Sequence, residues 1–465
     1  MNQDSFFTYW LILPLIGIAL FVASEAGRFV REGAEESNTF LRRFAFRFSA
    51  IYWVLYLLPA PLTMMIHGEW NIISEPFTKL TNSGVKWVAT NVLKLQSDLP
   101  LSAGSGDTTG DYIRVLAIFA LAIGGSLIWA VAVRRPSSDK AADLLRVFIR
   151  YSLAFTLVIY GLAKLFPFTN QFPEPTITRL MQPYGESSPM GILWTFMGAS
   201  KPYSVASGIA ELLGAVLLLS RRTATLGALF SAGVMMNVVM LNFFYDVPVK
   251  LYSSHLLLAA VFIALADSER LKAFFFKNRE AGSAPIDSPV FSNWSRPLVG
   301  TAKVIVITLG LFVPFYLSAK NNSFAAKVDA SKPDWYGVYD VESITVDGQP
   351  ASEDFGWSRF TMMRLPYTFS MEDGLEWVAN DRFSIQAGEA GSAGVALFDE
   401  ETLELELQGN TPDLFSVETD GDRGLVLTGD SDGKEMVVTL KQLKREDFLL
   451  VNRGFHWINE FPYNR

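Results

Sequence analysis

Eight stretches of this sequence run for 17–23 residues with few or no charges, near 6–24, 44–66, 114–133, 144–166, 202–220, 223–244, 251–267 and 298–318. A helix of that length crosses about 30 Å of hydrocarbon, and it satisfies its own backbone hydrogen bonds there. The pattern predicts a polytopic α-helical membrane protein with about eight transmembrane helices. Composition agrees, with 50% hydrophobic residues, 18% charged residues and a mean hydropathy of +0.24, too apolar for an ordinary water-soluble domain. The first stretch follows MNQDSFFTYW, which holds Asp4 and no Lys or Arg. It is therefore expected to be an uncleaved span and not a secretory signal.

Basic residues in the joints set a direction. Sixteen Lys and Arg, Arg28, Arg134, Arg221 and Lys277 among them, fall on one side, against six on the other, including Lys79 and Lys250. The bias predicts a multi-pass protein of a bacterial inner membrane with both termini extracytoplasmic, which an even number of spans also requires. Two outer loops are long. Residues 67–113 contain EPFTKLTNSGVKWVATNVLKL, a predicted interfacial helix. Residues 167–201 contain MGILWTFMG, too short to span, which suits a re-entrant hairpin or an interfacial helix.

Beyond Lys320 the apolar period changes from helical to alternating. Segments at 337–347, 358–370, 382–387, 394–398, 402–408, 414–418, 424–428, 435–440 and 447–452 predict about nine short strands. Turn signals such as DGDRG at 420–424 and DSDG at 430–433 separate them. The expected result is a C-terminal all-β barrel or sandwich, and its opening WYGVYDVESITVDG resembles the first strand of lipocalin-like barrels. Residues 332–465 carry 11 Lys+Arg against 26 Asp+Glu, whereas the rest of the chain carries 28 against 21. A basic membrane part and an acidic tail are two differently solvated parts. The predicted organisation is 1–143 with about three spans, a four-helix core at 144–267, a cytoplasmic joint and eighth span at 268–320, and an extracytoplasmic acidic β domain at 321–465.

Several chemistries are disfavoured by what the chain contains. It has no cysteine, which removes disulfides, thiolate metal sites and cysteine nucleophiles. Its three histidines, His67, His255 and His456, give no haem pair or HExxH spacing. No nucleotide loop or GxSxG elbow is present. Basic residues at helix ends, and not on one face, argue against nucleic acid as a partner.

Polar groups inside apolar spans carry the functional signal, because lipid makes them expensive. Glu211 in GIAELLGAVLLLSRR lies between Gly208 and Gly214, which permit close helix approach. Lys164 and Tyr160 lie in YGLAKLFPF, Asn237 and Asn242 in the sixth span, and Tyr245, Asp246, Lys250 and His255 in NFFYDVPVKLYSSH. The predicted topology puts all of them in the outer half of the bundle. On the functional alternative they converge on a pocket for a polar head group, with Glu211 or Asp246 exchanging protons, Lys164 supplying charge, and the others binding substrate. On the structural alternative Glu211 pairs with Lys164, the asparagines bond between helices, and Asp246 and Lys250 anchor a turn. At the C-terminus, His456 and Glu460 either face the outer mouth of the bundle or close a final strand.

The segments LLRVFIRYSLAFTLVIYGLAKLFPF, GIAELLGAVLLLSRRTATLGALF and VMMNVVMLNFFYDVPVKLYSSHLLLAAVF resemble the DoxX family of four-helix membrane proteins. The matching positions are Arg150, Gly161 with Lys164, Gly208 with Glu211, and Arg221 with Arg222. The resemblance covers about a quarter of the chain. It implies a quinone-linked redox role, with quinone as cofactor and a membrane or periplasmic redox partner besides the lipid bilayer. The other class open to such a chain is a non-catalytic envelope scaffold or transporter-like protein whose β domain binds a periplasmic ligand.

Overall fold

A computed structural model describes residues 40–57, 71–95, 107–132, 139–167, 170–282, 296–330, 337–351, 357–362, 382–387, 392–399, 402–407, 413–421, 423–431 and 433–453. The predicted first span at 6–24, residues 58–66 of the second, His67, His456 and Glu460 lie outside them. The chain forms two compact units, Met1–Pro173 with Pro189–Phe324, and Glu174–Ser188 with Ala325–Arg465.

The helices are α1 (Phe40–Leu57), α2 (Asn71–Trp87), α3 (Thr109–Ala132), α4 (Asp139–Leu162), α5 (Ile177–Met181), α6 (Pro189–Ala199), α7 (Lys201–Leu219), α8 (Ala224–Phe244), α9 (Lys250–Leu265), α10 (Ser268–Phe275), α11 (Arg296–Ala330) and α12 (Leu449–Asn452). Among the described residues four are long and apolar enough to cross a membrane: α3, α7, α8 and the Gly300–Lys327 part of α11. The pair α9 and α10, bent by 78° at their break, makes a fifth if it is one span. The sequence predicts eight. Two further described helices, α1 and α4, cover predicted spans, α1 only the first part of the span at 44–66. Arg42, Arg43 and Arg47 lie in α1, and Asp143, Arg146 and Arg150 in α4.

Helix α4 is nevertheless the heart of the first unit. Its Ile149, Leu153 and Ala154 have no exposed surface, and they pack with Phe46 and Trp53 of α1, Ala215 and Leu218 of α7, Ala228 and Met235 of α8, and Ala259 and Ile263 of α9. A helix enclosed by others needs no lipid-facing apolar surface, so it can carry polar groups wherever neighbours answer them. Arg146 does so with Asp267 at 2.8 Å, and Asp143 with Arg221 at 2.7 Å. Close approach of α4 and α7 depends on two glycines. A Cβ on Gly161 would lie 2.8 Å from the Gly208 carbonyl, and one on Gly208 would lie 2.8 Å from the Gly161 carbonyl. Short helix α6 holds the MGILWTFMG stretch and buries Leu193 and Met197 against Val247.

The second unit is an antiparallel sheet whose nine described strands are β1 (Gly337–Val346), β2 (Gln349–Pro350), β3 (Trp357–Met362), β4 (Arg382–Ala387), β5 (Ser392–Asp399), β6 (Thr402–Leu407), β7 (Asp413–Asp420), β8 (Gly424–Ser431) and β9 (Lys434–Leu443). Each strand from β3 to β8 pairs with the next, and β1 pairs with β2, β3 and also β9. Alternation decides the faces: Met436, Val438 and Leu440 of β9 are buried beside Leu425 and Leu427 of β8. Gly421 and Gly433 take positive φ of 66° and 77° in two of the turns signalled by sequence. The segment 174–188, between α4 and α6, belongs to this unit, and Arg445 there reaches Glu174.

One predicted strand, 447–452, is helical. The chain leaves β9 in a 3₁₀ turn at Arg445–Asp447 and continues into α12. The cause is Asp447, whose carboxylate accepts the Lys444 N–H at 2.8 Å and takes Arg423 Nη1 at 3.2 Å. The Lys444 amide first, then Arg423, hold the Asp447 carboxyl below its ordinary value. A lowered folded-state value stabilises the turn above the ordinary aspartate range, and that support is lost as pH falls through the lowered value. Amide exchange at 444–453, corrected for intrinsic rate, should therefore accelerate below about pH 4. An Asp447→Asn protein should lack this acid-induced step; persistence of the step would assign it to another group.

Candidate functional site

Helix α4 ends at Leu162, and its last turn tightens so that the Lys164 N–H donates to the Gly161 carbonyl at 3.1 Å. The chain then folds back. Asn170 Nδ2 donates to the Lys164 carbonyl at 2.9 Å, and the Gln171 N–H to the Ala163 carbonyl at 2.7 Å. This turn aims Lys164 inward, where Nζ donates to Glu211 Oε2 at 2.7 Å and to the Tyr160 carbonyl at 3.2 Å. Lys164 and Glu211 are 6% and 4% exposed, which makes them a buried ion pair. The Tyr160 and Phe172 rings lie 5.6 and 6.0 Å from Nζ and add cation–π attraction.

The pair forms part of the wall of a cavity of about 360 Å³ within the first unit. Helix α4 contributes Leu157 and Tyr160, α6 Trp194 and Met197, and α7 Tyr203, Ser207 and Ala210. Helix α8 contributes Met235, Asn237 and Asn242, and α9 Tyr252 and Ser253. The wall is mainly apolar and aromatic, with a few polar groups placed among the carbon surface, as small-molecule sites are built. Two of those groups have no protein partner among the described residues. Gln171 Oε1 is buried without a donor, and the Asn237 side chain, midway along α8, makes no hydrogen bond there. Asn242, by contrast, is occupied in tying α8 to α9 through Ser253 Oγ at 2.9 Å.

Of the residues singled out by sequence, Lys164, Glu211, Tyr160, Asn237 and Asn242 line this cavity, and Asp246, Tyr245, Lys250 and His255 do not. Asp246 sits at positive φ of 52° in the α8–α9 turn with its side chain 83% exposed, and accepts Lys250 Nζ at 2.7 Å. Lys250 and Leu251 give their N–H groups to Asp107, at 2.6 and 2.9 Å, which caps α9. His255 is buried against α1, with Nε2 2.6 Å from Tyr52 Oη and Nδ1 2.6 Å from the Leu251 carbonyl. The Tyr56 ring stacks on it at 3.9 Å. Sequence reasoning did not single out Gln171, Tyr203, Tyr252 or Ser253, and it assigned Trp194 to the headgroup boundary and not to a site. Tyr252 and His255 are three residues apart in α9 yet meet different neighbours, a difference that only packing settles. Among the described residues no three His, Asp or Glu side chains converge as a metal site would require.

A protein of Bacillus subtilis (strain 168) described as "Uncharacterized protein YwoB" is 34% identical over 139 residues, a match covering 30% of this chain and 83% of that protein. No family model matches the sequence, and no solved structure matches it.

Proposed function

The chain belongs to the YwoB family, and we propose that it is a DoxX-like inner-membrane protein that binds the head group of a quinone in the α4–α9 bundle. One observation carries the reading: a mainly apolar cavity of about 360 Å³ with a buried Lys164–Glu211 pair in its wall. Aromatic side chains of Tyr160, Trp194 and Tyr252 suit a flat ring, and Met197 and Met235 suit an isoprenoid stem. On this reading Lys164 donates to a ring carbonyl, and Glu211 takes or returns a proton as the ring exchanges electrons with a membrane or periplasmic redox partner. Around this core the proposal keeps eight spans with both termini outside the cytoplasm. The β unit is then an extracytoplasmic barrel, a reading supported by the pairing of its first long strand with its last.

The test is mass spectrometry of lipids that co-purify with the protein. A quinone should be retained by the natural chain and reduced about tenfold or more in Glu211→Gln, since hydrogen bonds to charged groups contribute about 1.5–3 kcal/mol. Absence from the natural chain, or equal retention by both, removes the support. The second reading, a non-catalytic scaffold or transporter-like protein, is favoured by the 2.7 Å Lys164–Glu211 contact, which is satisfied without a ligand. Equal retention of nothing by both proteins is its expected result.

A further inference from the structure

Helix α10 leaves the end of α9 at 78° and presents an aromatic edge to solvent. Phe274, Phe275 and Phe276 are 63%, 62% and 86% exposed, whereas Leu271 on the same helix packs against the bundle core. The edge is held in place. The Phe276 and Lys277 N–H groups both donate to the Lys272 carbonyl, at 3.1 and 3.0 Å, and Asn278 at φ 45° closes the helix in the left-handed region. Arg270 Nε ties the following segment back through the Gly282 carbonyl at 2.9 Å.

The charge around this edge is one-sided. At this end of the bundle Asp143 is taken by Arg221 and Asp267 by Arg146, and Glu269 pairs with Lys272. Arg222, Lys277 and Arg279 are exposed and have no carboxylate partner among the described residues, and Glu280 is the acidic residue that follows them in the chain. With α9 read as the predicted seventh span, its 16 residues cover about 24 Å, and a helix turning off its end by 78° runs near the plane of the interface. Exposed rings beside unpaired cations match an anionic lipid surface, with the rings entering the acyl boundary and the cations meeting phosphates.

We propose that α10 and the turn through Arg279 form a docking surface for anionic phospholipid head groups, with Phe274, Phe275 and Phe276 inserted in the leaflet and Arg222, Lys277 and Arg279 on the phosphates. The surface is independent of the quinone cavity. The chain has no cysteine, so a Phe276→Cys full-length protein accepts one environment-sensitive fluorophore. In nanodiscs, spin-labelled phosphatidylglycerol should quench that fluorophore about twofold or more beyond spin-labelled phosphatidylcholine at the same mole fraction. Raising the salt to about 1 M should erase the difference, and so should Lys277→Glu with Arg279→Glu. Equal quenching by both lipids at low salt overturns the selection for anionic lipid. No quenching by either overturns lipid docking altogether and assigns the surface to a protein neighbour or a second copy of the chain.

Discussion

Lys164→Met is expected to lower stability by about 3–5 kcal/mol, the cost of leaving a buried carboxylate without its partner. Glu211 is 4% exposed and takes Lys164 at 2.7 Å, and no other donor reaches it among the described residues. Water cannot replace the ammonium without entering a mainly apolar cavity. The double variant Lys164→Met with Glu211→Met should recover most of the loss, because two apolar side chains of similar volume remove the orphaned charge together with its partner. Thermal unfolding in a fixed detergent, followed by loss of monodisperse protein, compares the three. If the single variant melts with the natural protein, the pair is not the buried, mutually dependent contact described above. If the double variant is as damaged as the single one, packing and not charge accounts for the effect.

Gly208→Leu should separate α4 from α7 and empty the site at the same time. A Cβ at that position meets the Gly161 carbonyl at 2.8 Å, Leu165 Cδ1 at 2.6 Å and Lys164 Cβ at 3.0 Å. The leucine side chains can turn aside, but a carbonyl in a helix cannot, so the helices must move apart. Overpacking of this kind costs about 1–3 kcal/mol, and here it also pulls Lys164 away from Glu211. The matched control is Gly233→Leu, where an added Cβ meets nothing within 4 Å. The Gly208 variant should melt lower and lose any co-purifying ligand, and the Gly233 variant should do neither. Equal behaviour of the two would mean that the α4–α7 crossing does not depend on its glycines.

Much of this architecture is legible in local sequence. Helical and strand periods differ by their repeat, so the change from membrane helices to a β-rich tail past Lys320 is visible without any tertiary information. The Gly161–Lys164 and Gly208–Glu211 pairs are legible for a related reason. A lysine and a glutamate in adjacent apolar spans, each three residues past a glycine, have one economical arrangement, with the glycines touching and the charges meeting beside them. Positions 447–452 mislead because their aliphatic run suits a strand, whereas one carboxylate, Asp447, draws the chain into a turn. Helices α1 and α4 show a different limit of local sequence. Their apolar content predicts spans, and the partners that answer the charges of α4, Asp267 for Arg146 and Arg221 for Asp143, cannot be paired from sequence alone.

What the sequence determined by itself is the type of the elements outside 447–452 and the inventory of costly groups, since both follow from side-chain chemistry within a few residues. What only the tertiary structure decided is which of those groups share a space. Nine polar positions stood out along the chain, and the packing of five helices gathers Tyr160, Lys164, Glu211, Asn237 and Asn242 around one cavity. It sends His255 to Tyr52, and leaves Asp246 in a turn. It also adds Gln171, whose buried and unpartnered oxygen is invisible in sequence. The physical reason is that each residue advances about 100° around a helix. Neighbours in sequence therefore face different partners, and the choice among those partners belongs to the close approach of α4 and α7 at their glycines.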